Sequence, residues 1–154
     1  MKDPFDLQRF VDAQAPVYAQ VVSELGSGRK RSHWMWFVFP QIAGLGHSAM
    51  ARRYAIASRD EVRSYLAHPI LGPRLRECTQ TLCEIQQRSL REILGSPDHL
   101  KFHSSMTLFE TVSGDGIFRT ALEKFCAGAH DPVTIAILNR RSEFEGSKPS
   151  ATER

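Results

Sequence analysis

Cysteine is scarce in this sequence. The three present, Cys78, Cys83 and Cys126, are odd in number and form no Cys-x-x-Cys pair. That speaks against a disulfide framework and a cysteine zinc site, and it predicts free, mostly buried thiols in a reducing cytoplasm. Long apolar runs are missing too. The longest, Trp34 to Phe39, has six residues, against the roughly 20 that a membrane-spanning helix needs. The opening MKDPFDLQRF carries two acids and no apolar core, unlike a secretory signal. A Walker loop, a Gly-x-Ser-x-Gly elbow and a Rossmann glycine pattern are all absent. Gly26 and Gly28 lack the preceding strand and the third glycine of a dinucleotide fingerprint.

What is present is ordinary for a globular chain: 154 residues, 42% apolar and 24% charged. One domain of this size buries a sufficient core without staples. The net charge of +3 hides an asymmetry. Between Arg29 and Arg76 there are nine Lys/Arg against two acids, and elsewhere 11 against 15. Such a segment can present a positive field to an anion, unless its charges are dispersed around several helices.

Helix signals dominate. Leu7, Phe10 and Val11, then Val17, Val21 and Leu25, fall on helical faces. Asp6 is a plausible cap, and Pro16 predicts a kink or two abutting helices. Ser48 can cap a short helix over 49–56. Ser58 with Glu61, and Ser89 with Glu92, have capping-box spacing. Leu71, Leu75, Cys78 and Leu82 mark the longest amphipathic stretch, about 70–87. Ser96-Pro97-Asp98, with Ser96 as the cap followed by a first-turn proline and acid, and Asp131-Pro132 are helix starts. The run HWMWFVF is too short for periodicity to settle, but no second β-rich run accompanies it, so a short helix is expected. The fold class read from this is all-α, a single-domain irregular bundle of about six to eight helices over residues 1–138. The polar stretch 139–154 reads as a disordered tail.

Two segments hold candidate site residues. In the first, Arg29, Lys30 and Arg31 run into His33, Trp34 and Trp36. A guanidinium matches phosphate or carboxylate, an indole stacks on rings, and imidazole moves protons near neutral pH. The glycines at 44 and 46 offer backbone approach to a ligand. The competing reading makes the tryptophans core anchors and the cations a solvated end. In the second segment, Asp98, Lys101, Ser104, Ser105 and Thr107 crowd two helical turns. Asp98 and Lys101 stand i, i+3 and can pair. His99 and His103 have i, i+4 spacing but lack the companions of a zinc motif, so no metal and no cofactor is expected.

Several of these stretches resemble domain-of-unknown-function family 1810: FDLQRF from Phe5, GRKRSHWMWFVFPQ from Gly28, GLG from Gly44, YLAHP from Tyr65, LGPRL from Leu71 and KFHSSMTLF from Lys101. The resemblance covers about 3–138 and implies a small, mostly helical bacterial-type domain with no established activity. Members are sometimes labelled calpastatin-like, which implies protease inhibition; such inhibitors are long disordered repeats, unlike this helical pattern.

The expectation for function is a cleft binding a small anionic ligand, nucleotide-like or phosphorylated. Arg29, Lys30, Arg31, His33, Trp34 and Trp36 would line one side, with Lys101, Ser104 and Ser105 opposite. Were it an enzyme, hydrolysis or group transfer would use His33 or Asp98 as acid/base. The alternative is a nucleic-acid or protein interaction module using the basic surface. No membrane partner is expected.

Overall fold

The computed structural model describes residues 2–147, with side chains described as far as Arg141. Among the described residues there are ten helices and no strand. They are α1 (Gln8–Gln14), α2 (Tyr18–Gly26), α3 (Met35–Val38), α4 (Ala49–Arg53), α5 (Arg59–Ala67), α6 (Leu71–Glu84), α7 (Leu90–Leu94), α8 (Asp98–Ser113), α9 (Gly116–Cys126) and α10 (Pro132–Ser147). The fold is therefore an all-α, irregular single-domain bundle. Three of the helices, α3, α4 and α7, are little more than single turns.

The bundle is built around α8. Phe102, Met106, Leu108 and Phe109 are fully buried, and α8 packs against α3, α5, α7, α9 and α10. Its aromatics reach every side. Phe102 meets Phe39 edge-on at 5.0 Å, and Phe109 lies 5.4 Å from Tyr65 and 5.7 Å from Phe118. A helix buried through most of its middle leaves its hydroxyls to seek partners inside the protein. Thr107 Oγ1 donates to His103 O at 2.8 Å. Ser105 Oγ is fully buried and has no partner among the described residues.

Local chemistry explains the helix starts. Ser48 Oγ accepts from Ala51 N–H at 3.1 Å, and Ser58 Oγ from Glu61 N–H at 3.1 Å. Ser89 and Glu92 form a reciprocal capping box, satisfying two orphan donors. Asp131 Oδ2 accepts from Thr134 N–H at 3.1 Å, opening α10. Pro16 separates α1 from α2, as its ring requires.

Three expectations are corrected. Asp6 does not cap α1. It sits at φ 50°, and the carboxylate of Asp3 takes the Leu7 and Gln8 N–H groups instead, at 2.8 and 2.9 Å. Ser96 does not cap α8. The His99 N–H goes to Gly95 O at 2.9 Å, and the Leu100 N–H to Pro97 O at 2.9 Å. Finally, the stretch from Asn139 is helical as far as Ser147. Arg141 holds it, donating to Ala43 O at 2.9 Å and to Ala57 O. Residues 148–154 of the expected tail lie outside the described residues.

Candidate functional site

The site begins with one acid. Glu24, near the end of α2, is 3% exposed. Its carboxylate accepts five hydrogen bonds: Arg31 N–H at 2.8 Å, Ser32 N–H at 3.1 Å, Ser32 Oγ at 2.7 Å, Trp34 Nε1 at 2.9 Å and Gln20 Nε2 at 2.8 Å. Burial pushes the carboxyl pKa up, but the donated hydrogen bonds outweigh it and bring it down to about 2. The loop between α2 and α3 is therefore wrapped on a fixed anion. Gly28, at φ 76°, makes the turn into it.

The wrapping sends neighbouring side chains to opposite fates. Trp34 is buried at 1% exposure, its N–H engaged by Glu24. Lys30 turns inward, its ammonium 5.1 Å from the Trp34 ring centroid and bonded to Ser32 O. Arg31 and His33 remain exposed.

Lys30 completes the junction. Its side chain is only 6% exposed, and it pairs with Asp98 Oδ2 at 2.9 Å. The other oxygen, Oδ1, lies 3.5 Å from Lys101 Nζ. Lys101 in turn sits 5.0 Å from the Trp36 ring centroid. One carboxylate thus ties the cationic loop to the first turn of α8.

Between these elements lies a hollow of about 400 Å³, lined by Lys30, Arg31, His33, Trp36, Asp98 and Lys101, with Met35, Leu94, Ser96 and Pro97 completing the walls. Its fixed charges are three cations against one carboxylate. The Arg31 guanidinium, the His33 imidazole and the Trp36 N–H make no hydrogen bond or ion pair among the described residues. The first N–H groups of α8 are already taken by carbonyls, so recognition here falls to side chains.

The structure thus brings together Lys30, Arg31, His33, Trp36, Asp98 and Lys101 from two segments far apart in sequence. It does not bring Arg29, Trp34, Ser104 or Ser105 to the hollow. Arg29 is exposed outside it, and Trp34 is a core anchor. Ser104 Oγ faces α10, donating to Asp131 Oδ2 at 3.1 Å. Ser105 is enclosed in the core. The 43–46 glycine loop lines a separate hollow of about 180 Å³ with Arg52. Glu24, which sequence reasoning missed, is the residue that shapes the loop.

Other candidate chemistry is quiet. Burial raises the thiols of Cys78 and Cys126 to about 11, and Cys83 upward as well, which suppresses the reactive thiolate. His99 and His103 turn to different carbonyls, Gly95 O at 3.3 Å and Ala129 O at 2.8 Å. Among the described residues no three His, Cys, Asp or Glu side chains gather as metal ligands, and no helix is long and apolar enough to cross a membrane.

A family model described as a protein of unknown function, DUF1810, matches residues 4–138. The chain belongs to this family. The DUF1810 bundle is also similar to a solved structure, that of the conserved hypothetical protein Rv1873 from Mycobacterium tuberculosis, determined at 1.38 Å. The two share 55% identity over 89% of this chain and 99% of that one, with a TM-score of 0.88. No curated protein matches the chain.

Proposed function

We propose that the hollow between the α2–α3 loop and α8 binds a small anionic ligand, phosphorylated or nucleotide-like. One observation carries this reading: Arg31, whose guanidinium is unengaged among the described residues, shares a hollow with Lys101 and Lys30, which reach it from two distant segments. A guanidinium and ammonium groups over an apolar floor suit a phosphate or carboxylate. The volume falls within the roughly 300–1,000 Å³ of small-molecule sites, near the lower end. Asp98 is held by two ammonium groups, which suits positioning better than proton transfer. Binding therefore ranks ahead of hydrolysis, and His33 is the remaining candidate for moving a proton.

The basic segment gives less support to nucleic-acid binding. Much of it is engaged internally: Arg63 with Asp60, Arg76 with Asp115, and Arg74 over the Tyr18 ring.

The test is calorimetric titration with pyrophosphate against the wild type and the Arg31→Ala/Lys101→Ala variant. Wild-type binding that falls about a hundredfold in the double variant, with the thermal transition kept, is expected, since two charge-assisted contacts are lost. Unchanged affinity overturns the site. Duplex DNA binding with a steep salt slope, near one logarithmic unit per phosphate neutralised, favours the nucleic-acid alternative.

A further inference from the structure

The hollow carries one negative group among its cations, and that group bears on what the ligand is. Asp98 lines the hollow. Its Oδ2 is taken by Lys30 at 2.9 Å, whereas Oδ1 has only the longer 3.5 Å contact with Lys101. An ionised carboxylate has about four acceptor positions, and no other group among the described residues donates to this one. Bare phosphate, or a simple carboxylic acid, would use the cations and leave this oxygen as a repulsive neighbour. A ligand carrying hydroxyl donors beside its anionic group satisfies both signs. The wall supplied by Trp36 is a half-buried indole with Lys101 over its ring at 5.0 Å. A flat apolar ring of this kind accepts the C–H face of a sugar or the face of a base.

Resting on the anion-binding reading above, we infer that the ligand is a phosphorylated sugar, free or as the ribosyl phosphate of a mononucleotide. Its phosphate sits with Arg31, Lys101 and His33, and a sugar hydroxyl donates to Asp98 Oδ1. Asp98 is then a specificity-determining residue. It distinguishes polyhydroxylated phosphate esters from phosphate esters without hydroxyls.

The experiment is titration of the full chain at about pH 8 with ribose 5-phosphate and with methyl phosphate, two monoesters of like charge. The wild type is expected to prefer ribose 5-phosphate by about ten- to a hundredfold, the range of a hydrogen bond to a charged acceptor. In Asp98→Asn, which keeps an oxygen for Lys30, the preference is expected to drop to within about threefold while methyl phosphate binds at least as tightly. Equal wild-type affinities for the two esters overturn the sugar assignment and leave the anion site standing. Wild-type binding of neither ester overturns both. A preference fully kept in Asp98→Asn overturns the role of Asp98, and the wild-type comparison decides the ligand class even if that variant folds poorly.

Discussion

Arg9 and Arg31 line hollows of about 350 and 400 Å³ on the same bundle, and the two guanidiniums live differently. Arg9 is saturated. It donates to Arg53 O at 2.8 Å, Asp6 O at 2.8 Å, Ala55 O at 2.9 Å and Glu61 Oε2 at 3.0 Å. Its companions are occupied as well: Arg53 Nε donates to Tyr54 Oη at 3.2 Å, and Asp12 Oδ1 accepts from Gln8 at 2.9 Å. Arg9 fastens the segment before α1 to the end of α4 and to α5, and none of its own donors is left for a ligand. Around Arg31 the fastening is done by other groups, Glu24 from behind and the Lys30–Asp98 pair from the side, so its donors stay open. Hollows of similar size can therefore be a joint or a site. The one at Arg9 balances two arginines with two aspartates and has its Arg9 donors met. The one at Arg31 sets three cations against one carboxylate and leaves the Arg31 guanidinium open.

The sharpest way to break this comparison is to remove each hollow's buried anchor. Glu24→Ala strips a carboxylate from five donors and is expected to cost about 3–5 kcal/mol in urea unfolding. Arg9→Ala should cost a comparable amount. Phosphate-ester affinity of the folded protein should fall only for Glu24→Ala, because only that change releases Arg31 and His33. An equal loss in both variants would erase the distinction. The Glu24 contribution also has a pH signature. Its folded pKa, about 2, lies below the ordinary 4.5. The stability is therefore fully present above about pH 4.5 and is lost as pH falls towards 2, about 3 kcal/mol in all. Acid titration of Glu24→Gln should lack that part of the decline.

A milder contrast comes from the exposed cations. Arg31→Met is expected to weaken pyrophosphate binding about tenfold, and Arg53→Met to change it less than twofold. Equal effects would show a diffuse field rather than a site. The smallest expected effect is at Ser105, whose hydroxyl is buried without a partner among the described residues, in the helix around which the bundle is built. Ser105→Ala should be neutral or stabilising by up to about 1 kcal/mol, read as a small rise in thermal midpoint. A loss of anion affinity in that variant would return Ser105 to the ligand and redraw the hollow.

Much of the fold was legible where a local rule acts alone. Ser48, Ser89 and Asp131 cap helices because a short oxygen side chain meets an N–H two or three residues on. The single-turn helix at 35–38 followed from the lack of a partner strand. Features set by distant partners were hidden. Glu24 reads like any surface acid near a helix end, since its five donors belong to residues on both sides of a turn. The Gly-Ser-Gly that follows it was the available clue. Helix α8 looked like a carrier of polar ligands because His103, Ser104, Ser105 and Thr107 crowd it. In the fold the Thr107 hydroxyl returns to the carbonyl one turn back, His103 O at 2.8 Å, the Ser104 hydroxyl turns to Asp131 Oδ2 at 3.1 Å, and most of the helix is buried. The tail expectation failed at 139–147 for the same reason. Arg141 finds carbonyls about 84 and 98 residues away in the chain, which no local window contains. Of the candidate site, the meeting of Lys101 with Arg31 was anticipated; the division of labour among the cations was not.

The pairing of Lys30 with Asp98 spans 68 residues of chain. Chain closure over such a length costs entropy that the bundle must recover first. The hollow thus cannot exist in a fragment or an early collapsed species that lacks α8. Whatever occupies it meets only the finished molecule, and occupancy at a hundred times the dissociation constant would hold that molecule folded by a further ~2.7 kcal/mol.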